Sequence, residues 1–535
     1  MPAWVAFGWS LWTLLGAHLF FLRPPALLHF YDEGYINAFA WRMIDGHMLP
    51  YVDAVSHRGP LLYWIAALAA KLGSPTSWVP IRICSLVVTI APVIFIFAAA
   101  YRAKKPLAGG IAAIATVVAL LLALGPGDGI AFNGEHVLNV FATAAFFSLV
   151  VALDRRRPTP SVALVGLAGA LAAMSALSKQ VGAAMIPALA LWVIAAAVSR
   201  RSLERSQRWK LVLAFAAGVA VPVATVLLRY AVVHELDTFI YWAIRYNSEI
   251  YMAPYAHAIW RTTVNGWMAE HVVLLSIAIV TIGWGLTWPI ARANRMCNLA
   301  CAWDEEGFRA TVSLEALLAI AASNAALRDF PHYYVQVVPW CGLLLGLFIE
   351  HALVGGGSHR STYRAAVIVL PALFFTASVW HHRVRAYRID RATHNAWQDS
   401  RNGPICVFVR EHSSPTDKLF VWGFLPELYT SCDRRSASRY VFTTFVAGVV
   451  PWFGNTSVEE EDRRAVPGSR EILLSELEAA KPPVIVDAAQ TTLANRSMAR
   501  YAVLSKYLDD HYCPAGEQQA LKVYLRKTPE GACPP

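Results

Sequence analysis

Apolar segments separated by short polar loops follow one another along the first 380 residues of the chain. A helix needs roughly 20 apolar residues to cross a hydrocarbon core roughly 30 Å thick, so each segment is a candidate transmembrane helix. The segments lie at about 3–22, 80–100, 107–124, 136–153, 162–178, 181–198, 211–233, 270–290, 312–326, 333–350 and 365–380. The pattern therefore predicts a polytopic α-helical membrane protein with about eleven spans.

Basic residues gather in alternate loops, which sets the predicted orientation. The basic loops lie at about 102–105, 155–157, 200–210, 292–309 and 360–364. All of them fall on the cytoplasmic side if the N-terminus is cytoplasmic. Everything after about His381 then lies outside. No basic residue precedes the first apolar run and no small-residue cleavage site follows it, so we expect an uncleaved first span.

Two short helices are predicted in the loop after the first span, within residues 35–73. Apolar residues at helical spacing follow Gly34 and end at Gly46. The second helix begins at Pro60, a residue suited to the first helical position, and ends near Gly73. At about 1.5 Å per residue it is too short to cross the bilayer, so we expect both helices to lie at the outer membrane surface.

The composition becomes mixed and polar at about residue 383. Strands are predicted at 405–409, 419–423, 484–487 and 520–525, with a helix at 470–478. Strands that alternate with helices indicate a small α/β domain. The predicted division is a transmembrane domain at 1–382 and a soluble extracytoplasmic domain at 383–535, in which we expect no chemistry.

Composition and charge narrow the class of protein. A chain with 56% hydrophobic and 15% charged residues is too apolar for an ordinary soluble protein. The net charge of +10 resides in the short loops, which is typical of membrane topology and does not indicate a nucleic-acid surface. Four of the eight cysteines fall in the C-terminal part, where a disulfide is expected if that part is outside the cytoplasm: Cys406, Cys432, Cys513 and Cys533. Their pairing cannot be deduced from the sequence.

Two adjacent carboxylates, Asp32 and Glu33, mark the end of the first predicted span. Acidic residues are costly near hydrocarbon, which favours a functional role over a solvated turn that caps the next helix. The same loop offers an anion site at Arg58, just before the helix that begins at Pro60. Free amides, the helix dipole and a guanidinium together suit a phosphate.

Several stretches resemble the GT-C superfamily of polytopic glycosyltransferases. The resemblance is closest to the bacterial branch related to protein O-mannosyltransferases and the lipid A aminoarabinose transferase. Its most specific part is the first outer loop, Tyr31-Asp32-Glu33-Gly34-Tyr35 with His57-Arg58-Gly59-Pro60-Leu61-Leu62-Tyr63-Trp64. Further stretches are 177–180, 328–334 and 421–429. One departure is Arg58-Gly59-Pro60, where the family usually has Lys-Pro-Pro; arginine keeps the charge but changes its hydrogen-bonding geometry.

The resemblance implies a glycosyltransferase of a bacterial plasma membrane that takes its sugar from a polyprenyl-phosphate donor at the outer face. The acceptor would be an envelope glycan, lipid or protein, and no nucleic acid is involved. Asp32 would be the general base for an inverting transfer, with Glu33 or Glu135 orienting the acceptor or holding a metal. The resemblance leaves open whether a divalent metal takes part.

The remaining candidates fall into two groups. Candidate ligands of the donor phosphate are Arg58, Lys179, Arg328, His332 and Arg245. Candidate residues lining the substrate passage are Tyr31, Tyr35, His57, Tyr63, Asp128 and Tyr333. Each has a structural alternative, such as lysine reaching the headgroups, an aromatic interface belt, or Glu135 capping the following helix.

Two other functions account for part of the pattern. A glycolipid transporter or flippase would also place charges within the membrane, but no internal repeat is visible and the charged candidates gather on one side. A sensor or assembly protein with an outer binding domain would leave the loop from Asp32 to Trp64 unexplained.

Overall fold

The computed structural model describes residues 2–21, 31–124, 126–156, 159–200, 202–251, 282–286, 306–325, 331–354, 403–449, 457–489 and 496–534. Helices dominate its first part. They are α1 Ala3–Phe21, α2 Tyr31–Asp45, α3 Pro60–Leu72, α4 Val79–Arg102, α5 Pro106–Val118, α6 Pro126–Gly129, α7 Gly134–Ala152, α8 Val162–Ser178, α9 Ile186–Ser199, α10 Arg205–Val232, α11 Leu236–Ile240, α12 Gly307–Asn324 and α13 Val338–Val354. A 3-10 helix, Gln180–Met185, links α8 to α9, and another, Pro331–Gln336, precedes α13. A π-helical segment, Tyr241–Tyr251, follows α11.

Five of these helical segments are long and apolar enough to cross a membrane. They are Ala3–Phe20, Val79–Arg102, Gly134–Ala152, Gln180–Ser199 and Arg205–Val232. Shorter apolar helices occupy Pro106–Leu122, Val162–Ser178 and Val338–Leu353. Of the three other predicted spans, 312–326 falls largely within α12, 270–290 is described only at 282–286, and 365–380 lies outside the described residues. The architecture is a helical, membrane-protein-like bundle followed by a small sheet.

The two short outer helices are present. α3 begins at Pro60 and its last turn is closed by a hydrogen bond from the Gly73 amide to the Ala69 carbonyl, as its sequence predicts. α2 begins at Tyr31, earlier than predicted, so that Asp32 and Glu33 lie in its first turn. Carboxylates there are stabilised by the positive end of the helix dipole.

The C-terminal part contains a five-stranded sheet in the order β2-β1-β3-β5-β4. Its strands are β1 Lys418–Gly423, β2 Arg435–Ser436, β3 Val484–Ala488, β4 Tyr512–Gln518 and β5 Leu521–Arg526. β1 pairs in parallel with β2 and β3, whereas β5 runs antiparallel to β3 and β4. The helices around it are α14 Pro404–Glu411, α15 Glu427–Ser431, α16 Thr444–Ala447, α17 Val458–Arg464, α18 Ser469–Ala480 and α19 Ala502–His511.

One strand prediction is wrong, because 405–409 belongs to the helix α14. Pro404 occupies the first turn after an extended Gly403, which starts a helix. Ile405, Cys406 and Val409 are buried on one face while Val407 is exposed. Their spacing is helical, but a short apolar run of β-branched residues resembles a strand. The predicted β1, β3 and β5 and the helix at 470–478 are confirmed; β2 and β4 were not predicted.

The C-terminal part packs directly against α2. Gly34 faces α15 so closely that a Cβ on it would lie 2.9 Å from the Cβ of Glu427. The Asn37 side chain donates to the Thr430 hydroxyl at 2.9 Å, and Arg42 donates to the Ser436 carbonyl at 3.3 Å. The helix that carries Asp32 is therefore held by the C-terminal sheet region.

Two disulfides close loops in the C-terminal part, Cys406–Cys432 and Cys513–Cys533. The first joins α14 to the end of α15, and thus fixes the helix that contacts α2. The second joins the start of β4 to the last residues of the chain. Cys84 and Cys341 are free thiols.

We expect both bridges in the protein as isolated. Non-reducing proteolysis and mass spectrometry should show the Cys406 peptide linked to the Cys432 peptide, and the Cys513 peptide linked to the Cys533 peptide. Cys84 and Cys341 should alkylate without reduction and serve as internal controls. Recovery of alkylated Cys406 or Cys513 from unreduced protein would contradict the pairing.

The stability of the contact between α15 and α2 should depend on pH through Glu427. Burial raises the pKa of Glu427 to about 7 from 4.5. The folded protein then keeps a proton that the unfolded chain releases between these values, so stability falls as the pH rises from 4.5 to 7. Glu427→Gln cannot ionise and should be about as stable as wild type at low pH but up to about 3 kcal/mol more stable at pH 8. Thermal unfolding across pH tests this. A pH-independent difference would contradict this expectation. Glu460→Gln, which changes a half-exposed glutamate of α17, is the control.

Candidate functional site

The first turn of α2 directs its two carboxylates to different partners. Asp32 forms an ion pair with Arg58, with 2.8 Å between Oδ1 and Nη2. Glu33 is fully buried on the other side, where Oε2 lies 2.8 Å from Nε of Arg82 and Oε1 accepts the Phe132 amide at 2.7 Å. Adjacent residues on a helix diverge by about 100°. Asp32 therefore faces the Arg58 loop, whereas Glu33 joins α2 to α4 and to the loop before α7.

The loop that carries Arg58 is fixed on both sides of that residue. The Ser56 hydroxyl accepts the Arg58 amide at 3.2 Å, and the Tyr51 hydroxyl donates to the Arg58 carbonyl at 2.5 Å. The Arg58 guanidinium lies 5.4 Å from the centre of the Tyr35 ring. Gly59 passes so close to the end of α8 that a Cβ would lie 2.2 Å from the Leu177 carbonyl oxygen. The backbone thus sets where the guanidinium can reach.

A second ion pair, between Lys179 and Glu135, joins the residue after the end of α8 to the first turn of α7. The Asn133 side chain caps α7 by accepting the His136 amide, so Glu135 is not the cap of that helix. Lys179 immediately follows α8, and its ammonium lies 4.2 Å from the centre of the Tyr333 ring. Glu135 is almost completely buried.

His332 connects the first ion pair to a third acid. Its Nε2 lies 3.9 Å from Oδ2 of Asp32, and its Nδ1 lies 3.3 Å from Oδ1 of Asp128. Burial alone would lower the pKa of His332, but the Asp128 hydrogen bond and the nearby Glu135 and Asp32 carboxylates raise it. His332 therefore keeps its ring proton to a higher pH than an ordinary histidine does. The segment 331–336 brings it to Asp32 from three hundred residues away.

The positive groups around Asp32 determine its ionisation. Burial would raise the pKa of Asp32, but Arg58 and then His332 outweigh burial and lower it to about 2. The opposite holds for Glu33, for which burial outweighs Arg82 and raises the pKa to about 6. Two neighbouring carboxyls are thus held in different environments, and Asp32 is ionised across the physiological range.

Aromatic side chains from two parts of the chain surround the His57 ring. Its centre lies 4.5 Å from that of Tyr251, 5.7 Å from that of Tyr246 and 6.0 Å from that of Phe445. The Tyr251 hydroxyl lies 2.7 Å from the hydroxyl of Tyr333. Through Phe445, in α16, the C-terminal part contributes to the surroundings of the site.

The buried tyrosines Tyr35 and Tyr63 lie beneath Arg58. Their hydroxyls are 2.5 Å apart, and that of Tyr63 is also 2.5 Å from the Ser56 hydroxyl. Both side chains are about 1% exposed or less. They support the Arg58 loop and do not present an open lining surface.

Not every predicted site residue joins this cluster. Arg245 lies in the π-helical segment with its side chain exposed. Arg328 lies outside the described residues, as does the side chain of Tyr31. Among the described residues no group of three or more His, Cys, Asp or Glu side chains is arranged to hold a metal ion.

Three residues with direct contacts to the site's framework were not predicted: Arg82, Gln180 and Asn247. Arg82 follows Glu33 by almost fifty residues, and its only sequence signal was a charge inside an apolar run. Gln180 and Asn247 both donate to the His57 carbonyl at 2.9 Å. Neutral amides in loops carry no signal that separates them from solvated residues.

The chain is similar in sequence to one family and in fold to solved structures. Residues 57–226 match the model of the dolichyl-phosphate-mannose-protein mannosyltransferase family. A search of curated proteins found no match. The crystal structure of ArnT from Cupriavidus metallidurans bound to undecaprenyl phosphate is 14% identical, with a TM-score of 0.53 over 94% of this chain and 95% of that one. Its apo state gives 15% identity and a TM-score of 0.51, with 94% of each chain covered.

The family match covers α3 to α10 with the Arg58 loop and Lys179, while the structural match extends the likeness in fold to nearly the whole chain. The resemblance noted in the outer-loop motifs is thereby confirmed. Over residues 57–226 the chain is therefore similar in sequence to the dolichyl-phosphate-mannose-protein mannosyltransferases, and over nearly its whole length it has the fold of ArnT.

Proposed function

We propose that the protein transfers a sugar from a polyprenyl-phosphate donor to an envelope glycan, lipid or protein at the outer face of the membrane, with inversion at the anomeric carbon. The observation that carries this proposal is the contact between Asp32 and Arg58, 2.8 Å apart in one partly exposed site. A base and a phosphate-binding cation must lie within one substrate length of each other for such a transfer. The family match makes glycolipid transport the less favoured alternative.

The donor phosphate would bind to the cations of the site. Arg58 has a second nitrogen, Nη1, that is buried and has no hydrogen-bond partner among the described residues. Lys179 and His332 lie on the same side of the site and would share the phosphate charge. The ArnT structure of the same fold binds undecaprenyl phosphate, which supports a lipid phosphate of this class here.

Asp32 would accept the proton of an acceptor hydroxyl as its oxygen attacks the anomeric carbon. The bond between that carbon and the phosphate oxygen breaks, and its electron pair stays on the departing lipid phosphate. Arg58 then stabilises the negative charge that develops there, which is the larger contribution expected in transfers of this kind. If the acceptor were itself a phosphate, no base would be needed and Asp32 would have another role.

The resting ion pair also connects donor binding to the strength of the base. With a pKa of about 2, Asp32 is too weakly basic to remove a proton efficiently while Arg58 is bound to it. A donor phosphate that draws Arg58 toward itself weakens that interaction, and the basicity of Asp32 rises. Acceptor activation would therefore follow donor binding.

The arrangement in the membrane extends this proposal. We infer about eleven spans, an N-terminus in the cytoplasm of a bacterium and a soluble domain at 383–535 on the outer side of the plasma membrane, with the transmembrane domain at 1–382. The alternation of basic loops supports the orientation. The disulfides in the C-terminal part support an oxidising location for it.

Asp32→Asn should reduce sugar transfer by about 10²–10⁴-fold, because the amide keeps the shape of the side chain but cannot accept the proton. Transfer is measured with purified protein, radiolabelled polyprenyl-phosphate sugars and envelope fractions as acceptor. Asp45→Asn is the matched control. Asp45 lies at the other end of the same helix, where its Oδ2 is 3.2 Å from Nε of Arg435. Undiminished turnover in Asp32→Asn would exclude the base role.

Arg58→Ala should weaken binding of undecaprenyl phosphate by about 10–100-fold, the loss of one charge-assisted contact of about 1.5–3 kcal/mol. Arg58→Lys should lose less, since the charge remains while the two-pronged geometry is lost. Binding is followed by fluorescence titration of the detergent-solubilised protein. Arg435→Ala, the other member of the control ion pair, should bind as wild type. An unchanged affinity in Arg58→Ala would contradict the phosphate contact.

A further inference from the structure

One backbone carbonyl next to Arg58 accepts two side-chain amides. Nε2 of Gln180 and Nδ2 of Asn247 each lie 2.9 Å from the carbonyl oxygen of His57. Gln180 begins the 3-10 helix after α8, and Asn247 lies in the π-helical segment 241–251. A carbonyl oxygen has two lone pairs, so both bonds can form together. We refer to Gln180 and Asn247 as the amide clamp.

The clamp also joins the two segments that carry it. Gln180 donates to the Ala243 carbonyl at 3.0 Å, and Asn247 donates to the same oxygen at 3.3 Å. The loop before α3, the turn after α8 and the π-helical segment thus meet at two carbonyls. π-Helical turns are uncommon and are frequently found at functional sites.

The clamped peptide group is the one that leads into Arg58. The carbonyl of His57 and the amide of Arg58 belong to the same planar unit, so fixing one fixes the other. The Ser56 hydroxyl and the Tyr51 hydroxyl hold the Arg58 amide and carbonyl in turn. The clamp, Ser56 and Tyr51 together fix the backbone from which the Arg58 side chain extends.

We propose that Gln180 and Asn247 are positioning residues that orient Arg58 toward the donor phosphate and transmit the position of the π-helical segment to it. The proposal rests on the proposed function, in which Arg58 binds that phosphate. Neither amide touches the guanidinium in the resting protein, so the effect acts through the backbone. Ordering the loop before the lipid phosphate arrives reduces the entropy lost on binding.

The two amides should substitute for each other in part. When one is removed, the His57 carbonyl keeps the other partner; when both are removed, it has neither. A carbonyl that loses both partners costs more free energy than one that keeps a partner. The loss of binding free energy in the double variant should therefore exceed the sum of the losses in the two single variants.

The test uses full-length protein in detergent with undecaprenyl phosphate as the probe. Gln180→Met and Asn247→Leu keep the size of each side chain but cannot donate. Each should raise the Kd for undecaprenyl phosphate about 3–10-fold, and the double variant should raise it by more than the product of the two single factors. Gln207→Met, which removes the side chain that accepts the Glu204 amide in the capping box of α10, is the matched control and should leave the Kd unchanged.

Repeating the clamp substitutions in the Arg58→Ala variant distinguishes an effect through Arg58 from a general effect on packing. If the clamp acts through Arg58, the clamp substitutions should have no further effect on the Kd in that background. Equal losses in both backgrounds, or wild-type binding by the double variant, would overturn the proposal. If Arg58→Ala alone bound as wild type, the phosphate contact of the proposed function would fail instead. Should the apolar variants unfold, the neutral variants Gln180→Ser and Asn247→Ser, which are too short to reach the His57 carbonyl, have the same expectations.

Discussion

A partly buried ion pair between Asp32 and Arg58 constrains the rest of the site. Charges in a low-dielectric environment are costly unless they are paired, and removal of one partner leaves the other unsatisfied. The same rule accounts for the neighbouring pairs, Glu135 with Lys179 and Glu33 with Arg82. Each acid of the cluster lies against a cation, so the resting site is close to electrically balanced. An anionic ligand that bound here would compete with these acids for their cations.

The framework around these pairs is built from backbone contacts between segments far apart in sequence. α2 supplies Asp32, but its position depends on the close approach of Gly34 to α15 and on the Asn37 bond to Thr430. The Arg58 loop depends on the end of α8 and on the π-helical segment. The C-terminal sheet region, in which no chemistry was expected, therefore takes part in the geometry of the site.

Features set by neighbouring residues, such as the ends of a helix, could be predicted from the sequence. Pro60 and Gly73 delimit α3, and the alternating basic loops and apolar runs mark the spans that are described. The pairing of Asp32 with Arg58 could be proposed because both lie in one loop and match one family pattern. Glu33 was grouped with Asp32 by adjacency, yet a helix turns adjacent side chains apart and Glu33 reaches Arg82 in another helix. The prediction of a strand at 405–409 was wrong because this short apolar run has strand propensity. Pro404 at the first turn and the burial of Ile405, Cys406 and Val409 on one face favour a helix instead.

Gly59 lies where this chain departs from the Lys-Pro-Pro pattern of the family that it resembles. Its backbone, with φ of −63° and ψ of 148°, would accept a proline. Space and not torsion is the obstacle, since the Leu177 carbonyl occupies the place of a Cβ. The loop that carries Arg58 and Gly59 consequently lies nearer to the end of α8 than a residue with a Cβ at position 59 would allow. Transplanting the usual motif into this protein would require the neighbouring helix end to be redesigned with it.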